Sequence, residues 1–177
     1  MSRPSSLRRL LYTSPVGPLL VEYDDAGVRA LHFWEQGKHP PAGTRDEPAR
    51  EDAPGRQILG ELREYFAGER REFTVPLAPE GTEFRRAAWD ALRRIPCGET
   101  RTYGEMAREL GKPNASRAMG QANRHNPIPI LVPCHRVLAS GGGIGGYLGS
   151  WEGGDGTGIK RWLLEHEREM REKERGR

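Results

Sequence analysis

Residues 126–137 read NPIPILVPCHRV, and the prolines at 127, 129 and 133 limit what this stretch can become. Ile128, Ile130, Leu131 and Val132 would otherwise make a short buried strand. Proline has no N–H to give to a sheet ladder, so an edge or a bent, extended segment is expected instead. Such a rigid apolar stem would hold Cys134 at a fixed place, between Pro133, His135 and Arg136. A free cysteine in an apolar run is commonly a packing residue. A nucleophilic role needs a thiolate, which a nearby imidazole or guanidinium favours by lowering the thiol pKa. On an extended stem, however, Cys134 and His135 point to opposite faces, so they could meet only through a water or a local turn. Zinc fits less well still, because no C-x-x-C pair is present.

The 177 residues allow one large or two small domains. Hydrophobic residues make up 35% and charged ones 30%. No run approaches the roughly 18 apolar residues of a membrane span, so a soluble protein away from membranes is expected. Cys97 and Cys134 are the only cysteines, which points to a reducing compartment: cytoplasm, or nucleus in a eukaryote. The start is rich in Arg and Ser, yet Leu10 and Leu11 lead directly into strand-like sequence, which argues against a transit peptide. The net charge of +3 is too mild to prove nucleic-acid binding. Its distribution says more, since residues 101–136 hold Arg101, Arg108, Lys112, Arg117, Arg124 and Arg136 against only Glu105 and Glu109.

LLVEYDDAGVRALHFW, residues 19–34, reads as two strands joined by a hairpin, with Gly27 placed for a positive φ. Residues 36–56 have no periodic apolar positions and read as a loop. Ile58, Leu59, Leu62, Tyr65 and Phe66 fall at helical spacing up to Gly68, and Phe73, Val75 and Leu77 alternate as one further strand. The composition shifts around Pro79-Glu80-Gly81, which predicts domains at 1–81 and 82–177. Thr82 can cap a helix carrying Phe84, Ala88, Trp89 and Leu92, stopped by Pro96 and Gly98. A last helix is expected from about Ile159, with Trp162, Leu163, His166 and Met170 on one face and a solvated, fraying end.

TYGEMARELGKPNASRAMGQANRH, residues 102–125, has the plan of a helix-turn-helix. Thr102 and Glu105 form a capping box, and Gly111–Pro113 turns the chain into a second helix. Ala115, Ala118, Gly120 and Ala122 let that helix approach a partner closely, while Arg117 and Arg124 supply charge for phosphates or bases. A packed helical hairpin shows the same pattern, and the local positive charge favours DNA. Gly141, Gly143 and Gly146 match G-x-G-x-x-G, but more glycine follows instead of a helix. A flexible loop or lid presenting Tyr147 is the better reading.

In these pieces the chain resembles the DNA repair alkyltransferases that act on the O6 atom of guanine. The resemblance runs from GTEFRRAAWDALRRIPCGETRTYGEMAREL through NPIPILVPCHRV to KRWLLEHE, and PCHRV preceded by Asn-Pro is its most specific part. It implies a small α/β, ribonuclease H-like amino-terminal domain followed by a mostly helical, winged helix-turn-helix domain. It further implies that an alkylated guanine, or an O4-alkylated thymine, is flipped out of double-stranded DNA. The alkyl group then passes irreversibly to Cys134, once per molecule and without a cofactor; the zinc ligands of some relatives have no candidates here, because Cys97 and Cys134 are the only cysteines. By the same resemblance His135 takes the thiol proton through a water, Glu167 orients His135, and Asn126 braces the active-site segment. Tyr103, Tyr147 and Val137 belong to the base pocket, and Tyr103 donates to the leaving base. Arg117 enters the stack where the base was, and Ser116, Gly120 and Arg124 belong to the DNA-binding helix, which lies in the minor groove.

The chain departs from the family pattern at Leu148 and in the longer, polar run at 150–158, which bears on the size of alkyl group accepted. No extra methyl-acceptor domain is expected, and a monomer is. A lesion-recognition relative without the nucleophile would not keep Cys134. A transcription factor would need larger base-reading side chains on the second helix. A cysteine hydrolase would need a direct Cys–His pair and would turn over. Cys97 sits in an Ile-Pro-Cys-Gly turn. Cys97→Ala is therefore expected to leave methyl transfer to the protein unchanged, as followed by intact-protein mass spectrometry.

Overall fold

A computed structural model describes residues 6–147 and 156–176. The chain divides into two compact units, Met1–Glu80 and Gly81–Arg177. In the first, three antiparallel strands, β1 (Arg8–Ser14), β2 (Gly17–Asp24) and β3 (Gly27–Phe33), are joined by tight turns. The sheet order is β3-β2-β1-β4, where β4 (Thr44–Arg45) pairs in parallel with β1. The hairpin expected at Asp24–Gly27 is present, with the Asp24 carboxylate accepting from Ala26 N at 2.8 Å.

Two expectations for this unit are corrected. The run 36–56 contains β4 and the start of a helix, α1 (Ala53–Phe66). Asp52 caps α1 by accepting from Gly55 N at 3.1 Å, and a proline stands in its first turn. The D-A-P order was a helix-start signal inside a sequence that otherwise reads as loop. Residues 73–77 are not a ladder strand: one bridge, Val28–Leu77, forms. Pro76 has no N–H, and the buried Glu61 of α1 takes Thr74 N at 2.8 Å and Val75 N at 3.3 Å. The backbone donors a strand would use are spent on a side chain.

In the second unit, α2 (Glu83–Arg93) starts at Thr82, whose hydroxyl accepts from Arg85 N. The Thr102–Glu105 capping box is formed and opens α3 (Tyr103–Glu109), placing Tyr103 at its first residue. Gly111, at φ +69°, turns the chain toward α4 (Ser116–Arg124). Trp89, fully buried on α2, donates its indole N–H to the Ala122 carbonyl at 2.9 Å and so fixes α4 from the inside. Two short parallel strands, β5 (Arg101–Thr102) and β6 (Val137–Leu138), flank the pair. The last helix, α5, begins at Gly156 and runs to Arg175, so the end expected to fray is helical through Arg175. Its buried side carries Lys160, Leu163, Glu167 and Met170. Trp162 and His166 instead stack on each other, with centroids 4.8 Å apart.

The proline-rich stem is a set of turns rather than an extended strand. Val132 N reaches back to the Ile128 carbonyl at 2.9 Å, and Ile130 sits between them at φ +74°. A branched side chain is strained there. Ile130 is 1% exposed, so burial of its side chain offsets the strain that glycine would avoid. Gly27, at φ +135°, has the opposite logic: a Cβ there would lie 2.3 Å from the Pro76 carbonyl oxygen. Gly27→Ala is expected to cost at least about 2 kcal/mol, read from urea unfolding monitored by tryptophan fluorescence.

Candidate active site

A cavity of about 200 Å³ opens in the second unit. Tyr103 from α3, and Gly120, Asn123 and Arg124 from α4, line it together with Cys134, Gly146 and Tyr147. Five of the residues named from sequence are thus brought to one place. The Tyr103 ring packs beside Gly120 of α4, where a Cβ would meet it at an ordinary contact distance of 4.0 Å. Ser116, Arg117 and Val137 are not among the described lining residues. Arg117 and Arg124 are exposed on α4, and neither has an acidic partner among the described residues. Val137 is fully buried, and its carbonyl accepts from the Lys160 ammonium at 2.7 Å. Leu148 and residues 150–155 lie outside the described residues, while 156–158 form the first turn of α5.

Cys134, His135 and Arg136 form one 3-10 turn, all buried. Successive side chains on such a turn are about 120° apart. The opposed orientation expected of an extended stem is therefore replaced by the local turn that was the alternative. Asn126 braces the stem at two points: its amide donates to the Val132 carbonyl at 2.8 Å, and its carbonyl accepts from Ile128 N at 3.0 Å. Asn123 donates to the Cys134 carbonyl at 3.4 Å. Burial pushes the Cys134 thiol up to about 11, held back by the nearby Asn126 amide and the Lys160 charge. Burial also lowers the Lys160 ammonium to about 8 and raises the Tyr103 and Tyr147 phenols.

The His135 ring is fully buried and lies 2.7 Å from Glu167, Nε2 to Oε1. A carboxylate only accepts, so Nε2 carries the hydrogen and Nδ1 of a neutral ring is an acceptor. Nδ1 has no hydrogen-bond partner among the described residues. Glu167 is held well below the usual carboxylate range by His135 and Arg136 against the cost of burial, and burial lowers His135. Arg136 was counted by sequence with the DNA-facing cations; it is 5% exposed and bound to Glu167. Arg101 is likewise paired, to Glu99 at 3.1 Å. Sequence reasoning gave no role to Asn123 or Lys160. The only available signal was a polar residue at a buried helical position, which periodicity cannot separate from an exposed one.

Fold and site together define a helix-turn-helix unit in which a thiol faces the second helix across a cavity and an imidazole and a carboxylate pair beside it against the last helix. Residues 83–169 match the model of the DNA binding domain of 6-O-methylguanine DNA methyltransferase, and residues 7–79 match its ribonuclease-like domain. The chain belongs to the 6-O-methylguanine DNA methyltransferase family. It is 44% identical over 157 residues to a methylated-DNA–protein-cysteine methyltransferase of Methanosarcina acetivorans, covering 89% of this chain and 96% of that one. The crystal structure of Mycobacterium tuberculosis O6-methylguanine methyltransferase superposes with a TM-score of 0.77 at 38% identity, over 93% of this chain and 94% of that one. The M. tuberculosis OGT in complex with DNA gives 0.76 at 40% identity, over 92% and 94%. The fold class read from sequence, a small α/β domain and a helical DNA-binding domain, agrees with these matches.

Asn126→Ala removes both braces of the stem and leaves a buried carbonyl and a buried amide unpaired. It is expected to destabilise the protein by about 2–4 kcal/mol, measured by chemical unfolding, and to slow transfer even where the protein remains folded.

Proposed function

We propose that this chain repairs DNA by moving an alkyl group from O6 of guanine to its own Cys134. The observation that carries the reading is the cavity itself: the buried thiol shares it with two tyrosines, on the same unit as a helix with two exposed arginines. Double-stranded DNA with an alkylated guanine, or an O4-alkylated thymine, is the substrate. A reactive carbon hidden in the base stack is reached by extruding the nucleotide. Arg117 fills the space left in the stack, and Ser116, Gly120 and Arg124 carry the approach of α4 to the minor groove. Tyr103 and Tyr147, which line the cavity with Cys134, receive the base, while Val137 is buried behind it and holds Lys160.

In the transfer, the sulfur of Cys134 attacks the alkyl carbon in line with the C–O6 bond. The S–C bond forms as the C–O6 bond breaks, and the electron pair leaves on the guanine. His135 takes the thiol proton through a water at Nδ1, while Glu167 keeps Nε2 protonated. Tyr103 donates to the departing base. Burial disfavours a free thiolate, so coupling deprotonation to attack matters more here than it would for an exposed cysteine. The product is a thioether, a poor leaving group, so each molecule acts once. The protein works as a monomer in the cytoplasm, or the nucleus of a eukaryote, with the alkyl acceptor in the carboxy-terminal domain.

Intact-protein mass spectrometry after incubation with a duplex holding one O6-methylguanine tests this. One methyl group per protein, mapped to the Cys134 peptide, is expected; tight binding with no mass gain would refute the transfer. Cys134→Ser should abolish the gain and keep DNA binding. Arg117→Ala should slow repair of duplex far more than reaction with free O6-methylguanine base. Equal losses on both substrates would remove its role in extrusion.

A further inference from the structure

We propose that Arg136 is a positioning residue of the reaction: its guanidinium holds the Glu167 carboxylate so that one oxygen faces the His135 ring while its charge is cancelled. The inference rests on the proposed function above. Arg136 stands in the same turn as Cys134 and His135 but points away from solvent. Its Nε donates to Glu167 Oε2 at 2.8 Å and its Nη2 to Oε1 at 2.9 Å. Its third arm, Nη1, donates to the Ile95 carbonyl at 2.5 Å and ties the fork to the end of α2. Gly98 N adds a donor to Oε2 at 3.2 Å, and His135 Nε2 one to Oε1 at 2.7 Å. Among the described residues, four donors thus meet the two oxygens of one buried carboxylate, which offers four lone-pair positions. This fixes where Glu167 points, and through it how the His135 ring is turned.

The charge matters as much as the geometry. A buried carboxylate with no cation would draw a proton onto the imidazole beside it, and an imidazolium cannot take one from the thiol. The groups that face His135 are Glu167 and Lys160 from α5 and Arg136 from its own turn. Burial is the largest influence and favours the neutral ring; Glu167 opposes it, and Arg136 and Lys160 reinforce it. Removing Arg136 leaves Glu167 less opposed, so the ring holds its proton to higher pH. Lysine could supply the charge but not a planar fork across both oxygens.

The test is the single-turnover rate of methyl transfer from an O6-methylguanine duplex, followed against pH. Arg136→Met should move the acid limb of the profile up by about one pH unit, so that transfer is slowed by up to about tenfold on the acid side, with recovery above the limb. Titration of the His135 ring by ¹⁵N NMR in the DNA-free variant should show the same upward shift. A loss equal at every pH, with the limb unmoved, would make Arg136 a structural strut only and overturn the proposal, as would an unchanged rate. Arg136→Lys, the gentler change if the methionine variant does not fold, should slow transfer yet keep the limb within about half a unit of wild type. A full-unit shift in that variant would show that the cancelled charge is not what sets the ring, and would overturn the proposal too. Wild-type protein that takes up no methyl at any pH would refute the transfer itself, an outcome distinct from all of these.

Discussion

One buried carboxylate organises the second unit. Glu167 comes from α5, His135 and Arg136 from the turn after the stem, and Gly98 from the turn after α2. These segments are distant in sequence and meet at two oxygen atoms. A buried charge without its partners costs several kcal/mol, about 3–5 when one member of a pair is removed. The cluster is therefore close to all-or-none: α5 docks with Glu167 satisfied, or it does not dock. Arg171, one turn further along α5, repeats the link by donating to the Gly98 carbonyl at 3.1 Å. Gly98 itself, at φ +78°, has no room for a Cβ between the Glu167 carbonyl and the Arg171 side chain.

From that anchor the rest of the site follows. The turn that presents Arg136 to Glu167 also sets the directions of Cys134 and His135, because the three are consecutive on one 3-10 turn. Asn126 and the strained Ile130 fix the stem before it, and Trp89 fixes α4 across from it. A thiol this buried is not reactive by default. In the transfer proposed above its proton has to be taken by neighbours, and the neighbours are the groups that the cluster holds still.

The first unit follows different rules. Its strands and hairpins are local, so alternation and turn residues made β2 and β3 legible directly. The misread parts were those governed by partners far along the chain. Residues 73–77 alternate like a strand, yet Glu61 of α1 claims their donors. The loop at 36–56 hid a helix start because Asp52-Ala53-Pro54 is surrounded by residues typical of turns.

What the sequence determined by itself was local or periodic: the capping box at Thr102, the helix-turn-helix plan, the caps at Thr82 and Gly111, and the alternation of the strands. It also carried, in PCHRV after Asn-Pro, a signature specific enough to name the family. Only the tertiary structure decided the state of the charged residues. Arg117, Arg124 and Arg136 look alike in a list of cations, but two are exposed on α4 and the third is buried against Glu167. Lys160 and Glu167 fall on the inner side of an otherwise charged helix, where periodicity alone favours apolar residues. The reason is physical: a charge is buried only when partners from other segments pay its desolvation, and those partners are fixed by the fold.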